Sequence, residues 1–396
     1  MAKQKGLPVA VVGAGMIKFG ELFDQSYEDM IVGAYRACLK SVDKGIDEKD
    51  IEAGWLGTCI PGTGFRREIL TGAGLAEPIR FFPRPVSRME NACCTGSDAV
   101  RNAAFAVASG VYDLVLVVGA EKMRDIPSRD SLIAQTGVMY HAWWHPRGAS
   151  APQRFGSLAT AHMDKFGTKR DHLAMIAVKN HHNGTLDPYT HFNFEITVEQ
   201  ALNAPLLSWP LGLFDACPTT DGAAAILLTR QDRAREYTDQ PLYFMGTGLA
   251  TDPMYQPWKK NFIEFPATQA AAKEAYKMAG IGPDDVDLAE LHDCFTITEL
   301  ITYEDMGFCK KGEGGKWIEE GHPMLSGSKP CNASGGLKAK GHPIGATGVA
   351  QICELWWHLR GEAGERQVKD AQIGCTHNLG GLGTTVLVNI FGKEPR

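Results

Sequence analysis

Met89-Glu90-Asn91-Ala92-Cys93-Cys94-Thr95-Gly96-Ser97-Asp98 runs directly into the small, apolar stretch DAVRNAAFAVAS, residues 98–109. After a polar turn comes Leu114-Val115-Leu116-Val117-Val118. The pattern reads as turn, all-buried helix and buried strand, one complete α/β unit. It places Cys93 where a helix begins, among unpaired N–H groups at the positive end of the helix dipole, an environment that favours thiolate. A cysteine flanked by alanine and glycine is otherwise a small core residue. The rest of the chain has to decide between the two.

Working outward, the chain looks duplicated. Residues 8–13 read as a strand, followed by a helix over 27–41, the acidic segment 46–52 and a strand over 53–57. The same order returns with a strand at 242–246, a helix over 267–279, an acidic segment at 281–287 and a strand at 288–291. The Cys93 unit is matched by a turn at Gly341-His342-Pro343, a helix over 346–359 and a strand near 372–374. Two matching halves of alternating strands and helices imply two parallel-leaning sheets with helices on both faces. Such a repeat brings the two helix starts together at a pseudo-twofold axis, and Cys93 to His342. Between the halves, residues 121–215 lose periodicity and are rich in His, Pro and aromatics, which reads as a folded loop domain shaping a binding site. The run 222–229 then closes the first half.

With 396 residues, 44% of them hydrophobic, the chain can bury a large core in two or three domains. A net charge of −6 and no basic run argue against nucleic-acid binding, while local lysines could still hold an anionic ligand. The short apolar stretch near the N-terminus (MAKQKGLPVAVVGAGM) meets glycine at once, too short for a signal peptide or membrane span, and GKEPR is not a peroxisomal address. Ten cysteines without Cys-x-x-Cys spacing read as reduced thiols, neither a disulfide framework nor a zinc site, so the expectation is a cytoplasmic protein without bound metal. Gly13-Ala14-Gly15 after the first strand lacks the third glycine of a dinucleotide fingerprint, because Lys18 stands there.

Three further segments carry chemistry. Leu291-His292-Asp293-Cys294-Phe295 ends a buried strand, at the carboxyl edge where α/β proteins bind ligands. Residues 332–348 (NASGGLKAKGHPIGATG) form a glycine-dense approach to a helix. Residues 374–383 (GCTHNLGGLG) pass from a strand end into a glycine turn. A helix-terminal cysteine, histidines and further cysteines at strand ends suit nucleophilic acyl transfer better than metal binding.

At these motifs, and at Cys217-Pro218-Thr219-Thr220-Asp221-Gly222 and residues 161–170, the chain resembles the thiolase superfamily over essentially its whole length. The likeness is greatest to sterol-carrier-protein-type thiolases, with their His-Asp-Cys-Phe and His-Asn-x-Gly motifs; the separate lipid-carrying domain of some relatives is not expected. The resemblance implies an α/β thiolase fold: two βαβαβαββ-type halves (1–120 with 216–236, and 237–396) in a five-layered αβαβα core, plus the loop domain 121–215. It implies an acyltransferase that uses coenzyme A as a substrate, with no permanently bound cofactor. Cys93 is the implied nucleophile and His342 its base. His292 and a water would hold the enolate oxygen. Cys294, or alternatively Cys375, would shuttle the proton. A second oxyanion hole would use the N–H groups of Cys93 and the Gly380–Gly381 turn. Ser334, Gly335, Lys338, Lys340, His377, Asn378, Trp143 and Trp144 are candidate substrate or CoA contacts, the two tryptophans lining an acyl pocket or simply packing the loop domain.

The implied reaction is cleavage of a 3-oxoacyl-CoA or the reverse condensation, by a homodimer or dimer of dimers. Alternatives are a subunit working with a small zinc-ribbon/OB-fold partner on branched or aromatic substrates (the benzoylsuccinyl-CoA kind), a thiolase-like aldolase or lyase, and a non-catalytic acyl-CoA-binding subunit.

Overall fold

The computed structural model describes residues 6–60, 71–127, 130 and 150–395. Among them, nine strands form one sheet: β1 (Val9–Met16), β2 (Ala53–Gly57), β3 (Val86–Met89), β4 (Leu114–Glu121), β5 (Gly222–Arg230), β6 (Leu242–Thr251), β7 (Leu288–Glu290), β8 (Ile373–Gly380) and β9 (Thr385–Gly392). Their order is β3-β2-β4-β5-β1-β6-β9-β8-β7. The duplication is visible in that order. The first half runs β3-β2-β4-β5-β1, and the second mirrors it, with a parallel bridge from Ala289 to Cys331 standing where a fifth strand would lie.

Two expectations need correction. The half-sheets are continuous, joined where Ala10 and Val11 of β1 pair with Tyr243 and Leu242 of β6. Nor are they mainly parallel. Pairing is parallel at β2/β3, β2/β4 and β8/β7 and antiparallel elsewhere. The cause is connectivity. β9 follows β8 through a tight turn with Gly381 and Gly383 at positive φ, and a parallel neighbour would require a full crossover.

Alternation along the strands makes the layers. Leu114, Leu116 and Val118 of β4 pack with Met30, Ile31 and Ala34 of α1 (Tyr27–Lys40). Val115 and Val117, on the other face, meet Ala99, Val100 and Ala103 of α2 (Thr95–Ala108). In the second half, Val386, Val388 and Ile390 of β9 pack with Ala267, Ala271 and Ala275 of α5 (Pro266–Ala279). Helix α8 (Ile344–Arg360) shares the α2 cluster, so α2 and α8 form the middle of five layers. Between the halves lie α3 (Ala151–Phe166) and α4 (Arg170–Thr185). Their Phe155, Leu158, Leu173 and Ile176 share one cluster with Leu300 and Ile301 of α6 (Thr296–Asp305), so the insertion is packed onto the second half.

The middle layer positions the site because glycines let α2 and α8 touch. A Cβ on Gly96 would lie 2.7 Å from the Gly345 carbonyl, and one on Gly348 would lie 2.3 Å from the Ser97 nitrogen. The two helix starts do meet, as the repeat requires. Buried Glu121, at the end of β4, holds this junction by accepting from the N–H groups of Gly345 (3.0 Å), Cys59 (2.8 Å) and Ile60 (3.1 Å).

Candidate active site

Cys93 sits in the tight turn from β3 into α2. Ala92 before it adopts a left-handed φ of 48°, an uncommon conformation for a residue with a Cβ. The turn is pinned by Cys94 N–H to Asn91 O and Thr95 N–H to Ala92 O, both 3.0 Å. His342 precedes α8, after Gly341 at φ 103°, where any Cβ would strike Thr220 at 2.5 Å. His292 follows β7. Three separate turns thus deliver one cluster: the Cys93 sulfur and ring nitrogens of His292 and His342 lie within 4.8 Å of one another.

Outer hydrogen bonds give the two imidazoles opposite roles. The Thr347 hydroxyl donates to Pro343 O (3.0 Å) and so offers a lone pair to His342 Nδ1 at 2.7 Å. His342 then carries its proton on Nδ1 and presents a bare Nε2. For His292, Asn378 Nδ2 donates to Nδ1 at 3.0 Å, while Asn378 Oδ1 accepts from Ser97 Oγ at 3.0 Å. His292 therefore presents an Nε2–H. Both Nε2 atoms are buried and have no hydrogen-bond partner among the described residues. One is a base beside a thiol and the other a donor for a developing oxyanion. Cys with two His is also a zinc-type ligand set, but the Nε2–H of His292 points its proton into the space a metal would need.

The resting charge state differs from the expectation. Burial pushes the half-buried Cys93 thiol up to about 11, outweighing the favourable N–H groups of Gly381 and Cys93 itself. Burial also takes His342 down to about 3 and holds His292 well below the usual range. The pair is a neutral thiol and a neutral imidazole, and the thiolate arises only as His342 takes the proton.

The structure separates the remaining candidates. Cys294 is buried with its thiol pushed far up by burial, in electrostatic reach of Cys217 and Cys93. Cys375 stands apart: it lies inside β8 in the cluster facing α5, the face on which His377 meets Thr268 of α5 at 3.0 Å. Burial raises it to about 12, and its charged neighbours are Lys329 and Glu290. His377 is fully buried, with both ring nitrogens engaged. Its Nδ1 accepts from the His292 backbone N–H at 3.4 Å, behind the site. Ser334 and Gly335 are interior, Ser334 N–H donating to Glu290 at 3.2 Å and Gly335 pressing on Gly184. Lys340 is bound to Glu354 and Asp187, and Lys338 is 1% exposed, so neither offers itself to CoA phosphates at the surface. Trp143 and Trp144 lie outside the described residues. Cys94 is fully buried and donates to Asn378 O at 2.9 Å.

Sequence reading missed Thr347, five residues after His342, and Glu121, because tautomer control and helix-start clamping are visible only in three dimensions.

Residues 9–204 match the thiolase N-terminal domain model and residues 250–393 the thiolase C-terminal domain-like model. An acetyl-CoA acetyltransferase of Methanothermobacter thermautotrophicus is 42% identical over 385 residues, 97% of this chain and 99% of that protein. The chain belongs to the thiolase family. Human sterol carrier protein 2 is 34% identical over 406 residues, covering 97% of this thiolase and 71% of that protein. Among solved structures, the thiolase fold is shared with an Ltp2-ChsH2(DUF35) aldolase (TM-score 0.85, 23% identity, 98% of each chain) and with human mitochondrial 3-ketoacyl-CoA thiolase (TM-score 0.72, 18% identity, 98% and 99%). This thiolase is an acyltransferase. No helix among its described residues is long and apolar enough to cross a membrane.

Proposed function

We propose that the chain cleaves a 3-oxoacyl-CoA with CoA, or runs the reverse condensation, through an acyl group carried on Cys93. The observation that carries this reading is the sub-5 Å meeting of the Cys93 sulfur with a basic and a donating imidazole nitrogen. In cleavage, His342 Nε2 takes the Cys93 proton as sulfur attacks the ketone. The bond between the second and third carbons breaks. The enolate oxygen is held by His292 Nε2–H, and the carbon takes a proton from Cys294. Free CoA then attacks the thioester, whose oxygen faces the N–H groups of Cys93 and the Gly380–Gly381 turn. Each such donor contributes on the order of 3 kcal/mol to lowering the barrier.

A second reading adds a small zinc-ribbon/OB-fold subunit and a branched or aromatic substrate, supported by the fold shared with a complex whose description names a DUF35 component. An aldolase without a nucleophile fits less well, since Cys93, His342 and Cys294 would then have no task. Self-association fits β3, which among the described residues is an edge strand with one neighbour. All ten cysteines are unpaired, which suits a reducing, cytoplasmic setting.

The test is CoA-dependent cleavage across a panel of 3-oxoacyl-CoAs, straight-chain and aromatic, with Cys93→Ala as control. Activity lost in the variant supports the reading, and activity retained sinks it.

A further inference from the structure

Gln351 lies on α8, one turn beyond Thr347, and is 4% exposed. Its neighbours on that helix, Val349, Ala350, Ile352, Cys353 and Leu355, are apolar and buried, so an amide stands where packing alone would take an apolar side chain. The Gln351 Nε2 group donates to two backbone carbonyls, Glu290 O at 3.2 Å and His377 O at 3.1 Å. A carbonyl oxygen only accepts, so these partners decide which end of the amide faces them. The other end, Oε1, has no hydrogen-bond partner among the described residues. The side chain lines a small cavity together with Glu290, Ser334, Thr347 and Lys340, the last residue of the short helix α7 (Gly336–Lys340).

The two carbonyls belong to the strands that carry the donor half of the site. β7 and β8 pair in parallel as far as Glu290 and Thr376. Past that point β7 leaves the ladder. Leu291 N–H turns to Asn332 Oδ1 at 2.7 Å, and His292 N–H to the ring of His377 at 3.4 Å. Next along β8 is Asn378, whose Nδ2 donates to His292 Nδ1 at 3.0 Å. His292 therefore stands on a segment held by side chains. Gln351 binds both strands where they part, and it does so from the helix whose Thr347 orients His342. One amide joins the His292–Asn378 pair to the His342–Thr347 pair.

We propose that Gln351 is a positioning residue for carbon–carbon cleavage, setting where the His292 Nε2–H stands relative to Cys93 and His342. The inference rests on the acyl-enzyme reading above. The partners of Gln351 are backbone carbonyls, not reacting atoms, so it acts through β7 and β8, which place the ring that holds the enolate oxygen. The nucleophile and its base are held by other contacts: the close approach of α2 and α8, and the Thr347 hydroxyl on His342. Displacing a catalytic group by about 1 Å costs on the order of 10²-fold in rate.

The test compares wild type, Gln351→Met, His292→Ala and the double variant in CoA-dependent cleavage of a 3-oxoacyl-CoA. Met keeps the length of Gln and removes both donated hydrogen bonds. Alone, Gln351→Met should lower kcat about 10- to 100-fold with KM within about twofold. Added to His292→Ala it should cost less than about twofold, because the ring it positions is gone. Alkylation of Cys93 by iodoacetamide, which calls on Cys93 and His342 alone, should keep its wild-type rate. Gln351→Glu keeps the shape without the amide N–H groups; it should behave like Gln351→Met, and it decides the matter if that variant does not fold. An unchanged kcat overturns the proposal. So does an equal loss in both backgrounds, or Cys93 alkylation slowed in step with turnover, since either would be a general loosening of the core. Failure of both variants to fold overturns it too, making Gln351 a folding residue. Failure of the acyl-enzyme reading would show separately, as wild-type Cys93 that accepts no acyl group from the same substrate.

Discussion

His292 and His342 meet edge to face, their ring centroids 5.0 Å apart at an interplanar angle of 88°, with opposite faces of their chemistry turned to one sulfur. Neither ring chooses its role alone. Thr347 leaves His342 a bare Nε2, and Asn378 leaves His292 an Nε2–H.

Removing the Thr347 lone pair should therefore weaken the base without touching it. Thr347→Val is expected to lower kcat/KM about tenfold with KM little changed, against about 10²–10⁴-fold for His342→Ala. Steady-state cleavage kinetics read both.

Asn378→Asp should reverse the second tautomer. A carboxylate at His292 Nδ1 accepts where the amide donated, drawing the proton from Nε2 and removing the oxyanion donor. A loss of about 10²–10³ in kcat is expected, comparable to His292→Ala.

The pH profile follows from the burial shifts. The reaction needs His342 unprotonated, which holds above about 3, while Cys93 rests as the thiol, its proton available to His342, up to about 11. Between about pH 5 and 9, kcat/KM should be flat. An acid limb centred near 6.5 would mean a solvated imidazole in the working enzyme.

Gly348→Ala drives a methyl into Ser97 and Asn378, 2.3 and 2.6 Å away. Overpacking at the α2–α8 crossing should cost about 1–3 kcal/mol in urea denaturation and spread Cys93 from His342, lowering activity too.

The two acid/base candidates separate cleanly. Cys375→Ala should keep turnover near wild type, because its thiol faces α5. Cys294→Ala should abolish turnover while Cys93 is still acylated.

Much of this was legible in the chain. The repeat predicted that two helix starts would meet and bring Cys93 to His342, because matching halves leave few other arrangements. Strand direction was not legible. The antiparallel return of β9 is set by a four-residue turn, and local periodicity carries no sign of direction. Charge state was misjudged for a similar reason: a helix start can be read from residues 93–109, but the burial that raises Cys93 to about 11 comes from elements far away in sequence. Lys338 and Lys340 read as candidate CoA contacts on a glycine loop, because the buried carboxylates that bind Lys340, Glu354 and Asp187, lie elsewhere in the chain.

Peptide mass spectrometry after brief incubation with acyl-CoA, quenched in acid, reads the decisive bond. The peptide carrying Cys93 should gain the mass of the acyl group and lose it when free CoA is added. An enzyme that turns over while that peptide stays unmodified, or that carries the label on Cys294 or Cys217 instead, would contradict the account.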